Sequence, residues 1–264
     1  MTRRLLALSL LGLVSGCAVL QQLATRSPTP MRVATYNIRH GVGMDDALRL
    51  ERTAATLRAL DADIIGLQEV DSVVRRSNDV DQARLLGDLL GMRASFGAFM
   101  PYQGGAYGMA ILSRWPIVRT TSLRLPDGNE PRIALVAEVE RPDGTRLTVV
   151  NVHFDWVESD RYRYAQAEVV RTMLDTLSTP WLLLGDFNDE PGSRTLRLLT
   201  RAGDEATKPD SARFTFPAAP APTKEIDFIV AGPRGGWRVG DVTVVAERLA
   251  SDHRPVVATL TPER

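Results

Sequence analysis

The chain has 264 residues, with Lys plus Arg and Asp plus Glu at 32 each, so its formal net charge is zero. That balance excludes a global basic field able to hold a polyanion by counterion release, while the length suffices for one large layered domain with a filled core. The single cysteine, Cys17, excludes a disulfide framework and a thiolate metal centre.

In chain order, the first segment stands apart. Arg3 and Arg4 precede the apolar run Leu5 to Val14, which is too short to span a bilayer, and small residues then lead to Cys17. This is the pattern of an export signal, and the arginine pair leaves a twin-arginine route open. Val14-Ser15-Gly16-Cys17 resembles the lipobox of bacterial lipoproteins, which implies cleavage before Cys17 and lipid on its sulfur. Residues 1–16 are therefore expected to be a signal peptide, 17–30 a lipidated cysteine with a Gln, Thr, Ser and Pro tether, and 31–264 one domain. The expected location is the cell envelope, anchored to a bacterial membrane, with plain secretion as the alternative.

From Met31 onward, strand-like and helix-like runs alternate without an internal linker. Strands are predicted over Met31 to Asn37, Asp63 to Gln68, Gly108 to Ser113, Arg132 to Glu140, Arg146 to Asn151, Trp181 to Leu184, Glu225 to Val230, Val242 to Ala246 and Pro255 to Leu260. Pro142-Asp143-Gly144 joins two of them as a turn. Helices are predicted over Asp46 to Leu60, Asp81 to Leu90, and from a Ser159 cap to Leu177 with Tyr162, Gln166, Val169, Met173 and Leu177 on one stripe. Strands outnumber helices and several are apolar on both faces. Such strands need cover on both sides, so the expected fold is a four-layer α/β/β/α sandwich, two packed mixed sheets flanked by helices.

Polar residues gather where the apolar strands stop, at Asn37, Glu69, His153, Asp186 with Asn188, Asp227, and Asp252 with His253. Strand ends hold side chains rigidly, and groups at one end of a sheet can converge on a pocket. The donor set is rich in oxygen and lacks sulfur, which suits Mg²⁺, Mn²⁺ or Ca²⁺. Phosphoester hydrolysis needs such a site: a cation, a base for water, and a group facing the leaving oxygen. Residue by residue, blander roles stay open. Asn37 could cap a turn, His153 could be a satisfied core histidine, and Asp186 with Asn188 could form an Asx turn.

Seven segments, in order, resemble the endonuclease/exonuclease/phosphatase superfamily with its deoxyribonuclease I-like fold. They are Thr35-Tyr36-Asn37-Ile38-Arg39-His40-Gly41, Leu67-Gln68-Glu69-Val70, Ala110-Ile111-Leu112-Ser113-Arg114, Asn151-Val152-His153, Gly185-Asp186-Phe187-Asn188, Ile226-Asp227-Phe228-Ile229 and Ser251-Asp252-His253-Arg254-Pro255. The resemblance implies that Asn37 and Glu69 hold the metal, with Asp252 as a further acidic ligand or orienter. It implies that His253 acts at phosphorus, as base or as electrostatic clamp, and that Asp227 holds it. His153 would contact the scissile phosphate or protonate the leaving group. Asp186 would position or activate water, and Asn188 would bond the phosphate or support the metal shell. Tyr107 lies near a phosphate-contacting tyrosine of some nucleases.

Arg76, beside Arg75, could grip a phosphate through its fork, although an arginine pair after a strand is also a common solvated loop. Arg132 and the segment Thr215-Phe216-Pro217 are placed at the same mouth, and His40 at its rim. The expectation is an exported monomeric hydrolase of a phosphomonoester or phosphodiester in a small molecule, lipid headgroup or nucleotide. Water would attack in line, because no Ser, Cys or Thr nucleophile accompanies the histidines. The competing readings are a secreted nuclease acting on DNA or RNA, and an inactive binding module at the envelope. No long basic or aromatic insertion that would clamp a duplex is present, and the full polar set argues against an inactive module.

Overall fold

The computed structural model of the protein describes residues 28–263. The expected signal peptide, Cys17 and most of the tether lie outside the described residues.

Among the described residues, twelve strands form two six-stranded sheets. The first contains β1 (Met31–Asn37), β2 (Ile64–Ser72), β3 (Arg93–Tyr102), β4 (Gly105–Ser113), β11 (Trp237–Val244) and β12 (Val256–Pro262), in the order β11-β12-β1-β2-β4-β3. The second contains β5 (Ile117–Arg124), β6 (Ile133–Glu140), β7 (Arg146–His153), β8 (Trp181–Asp186), β9 (Asp204–Glu205) and β10 (Asp227–Gly232), in the order β5-β6-β7-β8-β10-β9. Both are mixed: β1 runs parallel to β2, and β7 parallel to β8, with antiparallel neighbours around them.

The alternation of side chains along each strand explains why these strands are apolar throughout. Val33, Ile64, Met109, Leu182 and Leu184 point into the core between the sheets. Their neighbours Ala34, Ile65 and Ala110 face the helices α1 (Leu50–Leu60) and α2 (Gln82–Leu90). Trp181, Leu183 and Phe228 face α3 (Arg161–Asp175) and α4 (Arg194–Thr200) on the opposite side. The result is the expected four-layer α/β/β/α sandwich.

Several local expectations are corrected. The first helix starts at Leu50, not Asp46, because residues 43–47 fold back on themselves through Gly43 N–H to Ala47 O and bond across to Leu249 O. The buried stripe of α3 is Arg163, Gln166, Ala167, Val170 and Leu174, one step round from the predicted one. Gln166 belongs to both stripes, accepting from Asp155 N–H and donating to Pro126 O, while Arg163 turns inward in place of Tyr162 and donates to Val157 O and Glu158 O. Strands β3, β5 and β9 and helix α4 were not expected. Of these, β5 is an edge strand with a mostly exposed, Thr-rich face, so burial leaves no period in its sequence.

The sheets are bolted together beside the site by buried amides. Asn151 of β7 donates to Leu67 O and Ala110 O of the opposite sheet and accepts from Gln68 Nε2, which also reaches Thr35 Oγ1. Gly66 makes room for this contact, since a Cβ there would lie 3.0 Å from Asn151 Oδ1.

Candidate active site

The topology brings the polar strand ends together. The C-terminal ends of β1, β2, β7 and β8 and the N-terminal ends of their antiparallel neighbours β4, β10 and β12 lie at one edge of the sandwich. Asp227 stands directly opposite Asp186 in the β10/β8 register, and His153 opposite Asp186 in the β7/β8 register. Gly185 permits that second approach: a Cβ on it would meet Val152 O at 2.1 Å. Glu69 is aimed by a bulge. The β2/β4 register shifts between Leu67 and Val70, and Glu69 takes a left-handed conformation at φ 56, turning its carboxylate toward the cleft.

Asp186 is the hub. Its Oδ1 accepts from Asn188 N–H at 2.9 Å, so the Asx turn considered above exists, on one oxygen only. Its Oδ2 receives Asn37 Nδ2 at 3.2 Å and lies 3.5 Å from His153 Nε2 and 3.6 Å from His253 Nε2. On its far side, His253 shares a 2.9 Å hydrogen bond between Nδ1 and Asp227 Oδ2, and Phe216 packs on its ring at 4.9 Å. Ser251 fixes the approach of this loop, donating to Asn37 O and accepting from His253 N–H.

Asn37 also donates to Glu69 Oε1 at 3.0 Å, and its own oxygen accepts Arg39 N–H. Two carboxylates can only accept, so the amide nitrogen faces them and the oxygen is committed elsewhere. Asn37, expected among the metal ligands, therefore sits between the two carboxylates and orders them.

Electrostatics separate the titrating groups. Burial pushes Asp186 up to about 7, with nearby Asp227 adding to the rise and His253 opposing it. For His253 burial works against the charge, yet Asp227 and then Asp186 outweigh it and hold the imidazole up at about 10. Burial and the charges of Arg132 and His253 hold His153 well below its usual range. Burial, then the Glu69 charge, keeps the Tyr107 phenol protonated.

These groups line a cleft of about 640 Å³, with Glu69, Tyr107, His153, Asp186, Asp252 and His253 on its walls and Asn188 beside them. Asn37 and Asp227 stand behind that wall. Arg76, expected as a phosphate contact, is spent: its Nε and Nη2 fork grips the buried carboxylate of Asp71, and it packs on Tyr102 and Tyr107. His40 lies behind Glu69, 3.9 Å from its Oε2, rather than on the cleft wall.

The donor set fits a divalent cation. Asp186, Asp227 and His253 each place a ligand atom within 4.8 Å of the others, so this buried group could bind a metal. The proton shared by Asp227 and His253 Nδ1 competes with that use. Asp252 Oδ2 lies 3.9 Å from Arg39 Nε and Glu69 Oε2 lies 3.9 Å from His40 Nδ1, so neither oxygen is held in a short ion pair among the described residues, and both carboxylates line the cleft.

Sequence reasoning under-used Arg132, Asn151 and Ser251. The two latter stood inside recognised motifs, but their partners lie in other strands.

A layered sandwich with an Asp/His cluster at the strand ends defines a phosphoesterase fold. The sequence pattern of the Endonuclease/Exonuclease/phosphatase family matches residues 34–253, and the chain belongs to that family. It is 28% identical over 244 residues to the uncharacterized protein YbhP of Escherichia coli K12, covering 87% of this chain and 95% of that one. A solved endonuclease/exonuclease/phosphatase family protein of Bacteroides thetaiotaomicron superposes with a TM-score of 0.76 at 21% identity, covering 90% of this chain and all of the other. The mannosyl-6-phosphatase Bt3783 of Bacteroides thetaiotaomicron superposes with a TM-score of 0.73 at 21% identity, over 88% of this chain and 99% of that one. Most members of this family are metal-dependent phosphoesterases.

Proposed function

We propose that the protein is a metal-dependent phosphoester hydrolase in which water attacks phosphorus in line, acting on a small molecule, lipid headgroup or nucleotide. The observation that carries this reading is the line Asp227, His253, Asp186 opening on the cleft, with a charged imidazole and a carboxyl poised near neutrality side by side.

Asp186 Oδ2 is the base for the attacking water, and Asn37 keeps that oxygen aimed. His253 keeps its proton and faces the charge growing on the phosphoryl oxygens, with Asp227 fixing its tautomer. His153 is neutral and acts as a hydrogen-bonding contact to the phosphoryl group rather than as a proton donor at neutral pH. Glu69 and Asp252 would hold a divalent ion, Mg²⁺ or Mn²⁺, which would supply neutralisation of the charge that develops in phosphoester hydrolysis. Tyr107 and Asn188 border the phosphate.

Sugar phosphates belong in the first substrate panel, given the fold shared with the mannosyl-6-phosphatase. The test is hydrolysis of p-nitrophenyl phosphate and bis(p-nitrophenyl) phosphate with added Mg²⁺ or Mn²⁺. Activity is expected with one or both esters and is expected to vanish in H253A and in chelator. No turnover of either ester with either metal sinks the reading and revives the inactive binding module. Faster cutting of plasmid DNA than of any small ester would instead favour a nuclease.

We also propose that the mature protein is a lipid-anchored envelope protein, on the strength of Val14-Ser15-Gly16-Cys17 following the apolar run. C17S is expected to release the protein from membranes; unchanged retention refutes the anchor.

A further inference from the structure

Arg132 is the largest of the fully buried side chains, at 1% exposure, and it lines the same cleft as His153, Asp186 and His253. Its guanidinium lies over the Phe99 ring at 5.1 Å, and Phe99 meets Tyr107 edge to face at 4.8 Å, which closes the wall behind it. Only Nη2 has a partner, Glu130 Oε2 at 3.0 Å, on a carboxylate that is one-third exposed. Nε and Nη1 are buried with no hydrogen-bond partner. A buried guanidinium with unmet donors is unfavourable unless an anion completes it. Arg76 shows the alternative, since Asp71 occupies its fork.

We propose that Arg132 is the anion receptor of the cleft and that it selects a terminal phosphate, a phosphomonoester, over an internal phosphodiester. The proposal rests on the hydrolase reading above and deepens it. Donor counting drives the choice. Arg132 offers two nitrogens without a partner, Nε and Nη1, which carry three N–H donors between them, and His153 and His253 line the same cleft. A monoester brings three non-bridging oxygens and two negative charges to satisfy them. A diester brings two oxygens and one charge, and its second ester arm would have to pass the wall that Arg132, Phe99 and Tyr107 close. A planar, permanently charged guanidinium is also the side chain best matched to phosphate.

The experiment compares wild type, R132K and R132Q, each checked for fold by circular dichroism. Inorganic phosphate, p-nitrophenyl phosphate and bis(p-nitrophenyl) phosphate are titrated calorimetrically, and kcat/KM is measured for the two esters. Phosphate affinity and monoester kcat/KM are expected to fall roughly 100-fold in R132Q, the scale of losing one buried charge-assisted partner. The diester is expected to lose less than about tenfold, and R132K to fall between on the monoester. Unchanged phosphate affinity in folded R132Q overturns the receptor; equal losses on both esters overturn the monoester selection. If wild type hydrolyses neither ester, the catalytic reading fails, while the three titrations still decide Arg132. Should R132Q not fold, R132K with the same titrations carries the decision.

Discussion

His153 and His253 occupy the same depth of the molecule, each 4% exposed, and each presents Nε2 to one oxygen of Asp186 at 3.5 and 3.6 Å. They nonetheless differ in charge, His253 protonated and His153 neutral. Behind His253, Asp227 Oδ2 receives Nδ1 at 2.9 Å; behind His153, Nδ1 is buried without a partner. Burial pushes both imidazoles toward neutrality, so the difference comes from the carboxylate at the back of one ring and the neighbouring positive charges around the other. Two residues of one type are thereby set apart, and the proposed mechanism uses one as a charged clamp and the other as a neutral contact.

The largest expected effect comes from erasing that difference. D227N should lower kcat by ~10³–10⁴, the scale seen when a histidine loses its orienting carboxylate. A loss under about tenfold would mean that Asp227 is not what holds His253. H153Q is expected to cost about 10²-fold, as for one positioned polar contact at the phosphate. If H153Q instead matched D227N, the two histidines would be sharing one proton-transfer task, and the contrast would collapse. The smallest effect is on stability. His253 keeps its proton to about 10 in the fold against its ordinary 6.5. Its stabilising contribution is therefore complete below pH 6.5 and is lost as pH rises through 10. Melting temperatures of D227N should accordingly fall less steeply than wild type across that window. Parallel curves would show that the imidazole is not charged by Asp227.

The residues that carry this contrast were legible in the sequence because each lies at or beside one end of an apolar strand, His153 and Asp186 closing β7 and β8, Asp227 opening β10 and His253 preceding β12, and the strands' two-sided hydrophobicity implied the layers. Their partnerships were less legible. Asn37 finds Asp186 across 149 positions, and its amide is turned by two carboxylates that no local pattern brings together. The bulge that aims Glu69 leaves no mark beyond an ordinary strand end. The arginines were mis-weighted for a similar reason. Arg76 looked free, but a short turn returns it to Asp71, five positions earlier, whereas Arg132, placed at the mouth, carried no local sign that only one of its nitrogens would meet a carboxylate. Whether a guanidinium is spent depends on which carboxylate folds against it, and composition does not carry that. Strand β5 escaped because an edge strand with one exposed polar face keeps no hydrophobic period.

The path of the chain has a consequence in time. Strand β12, which follows His253, inserts between β11 and β1, and Met31 pairs with Leu260 there. Residues 117–232 build the second sheet as one continuous excursion before the chain returns to the first. Pairings of such long sequence separation form late and slowly. The His253 imidazole therefore arrives with the last closure of the first sheet. During refolding, recovery of activity should time that closure, trailing the burial of Trp181 within the second sheet.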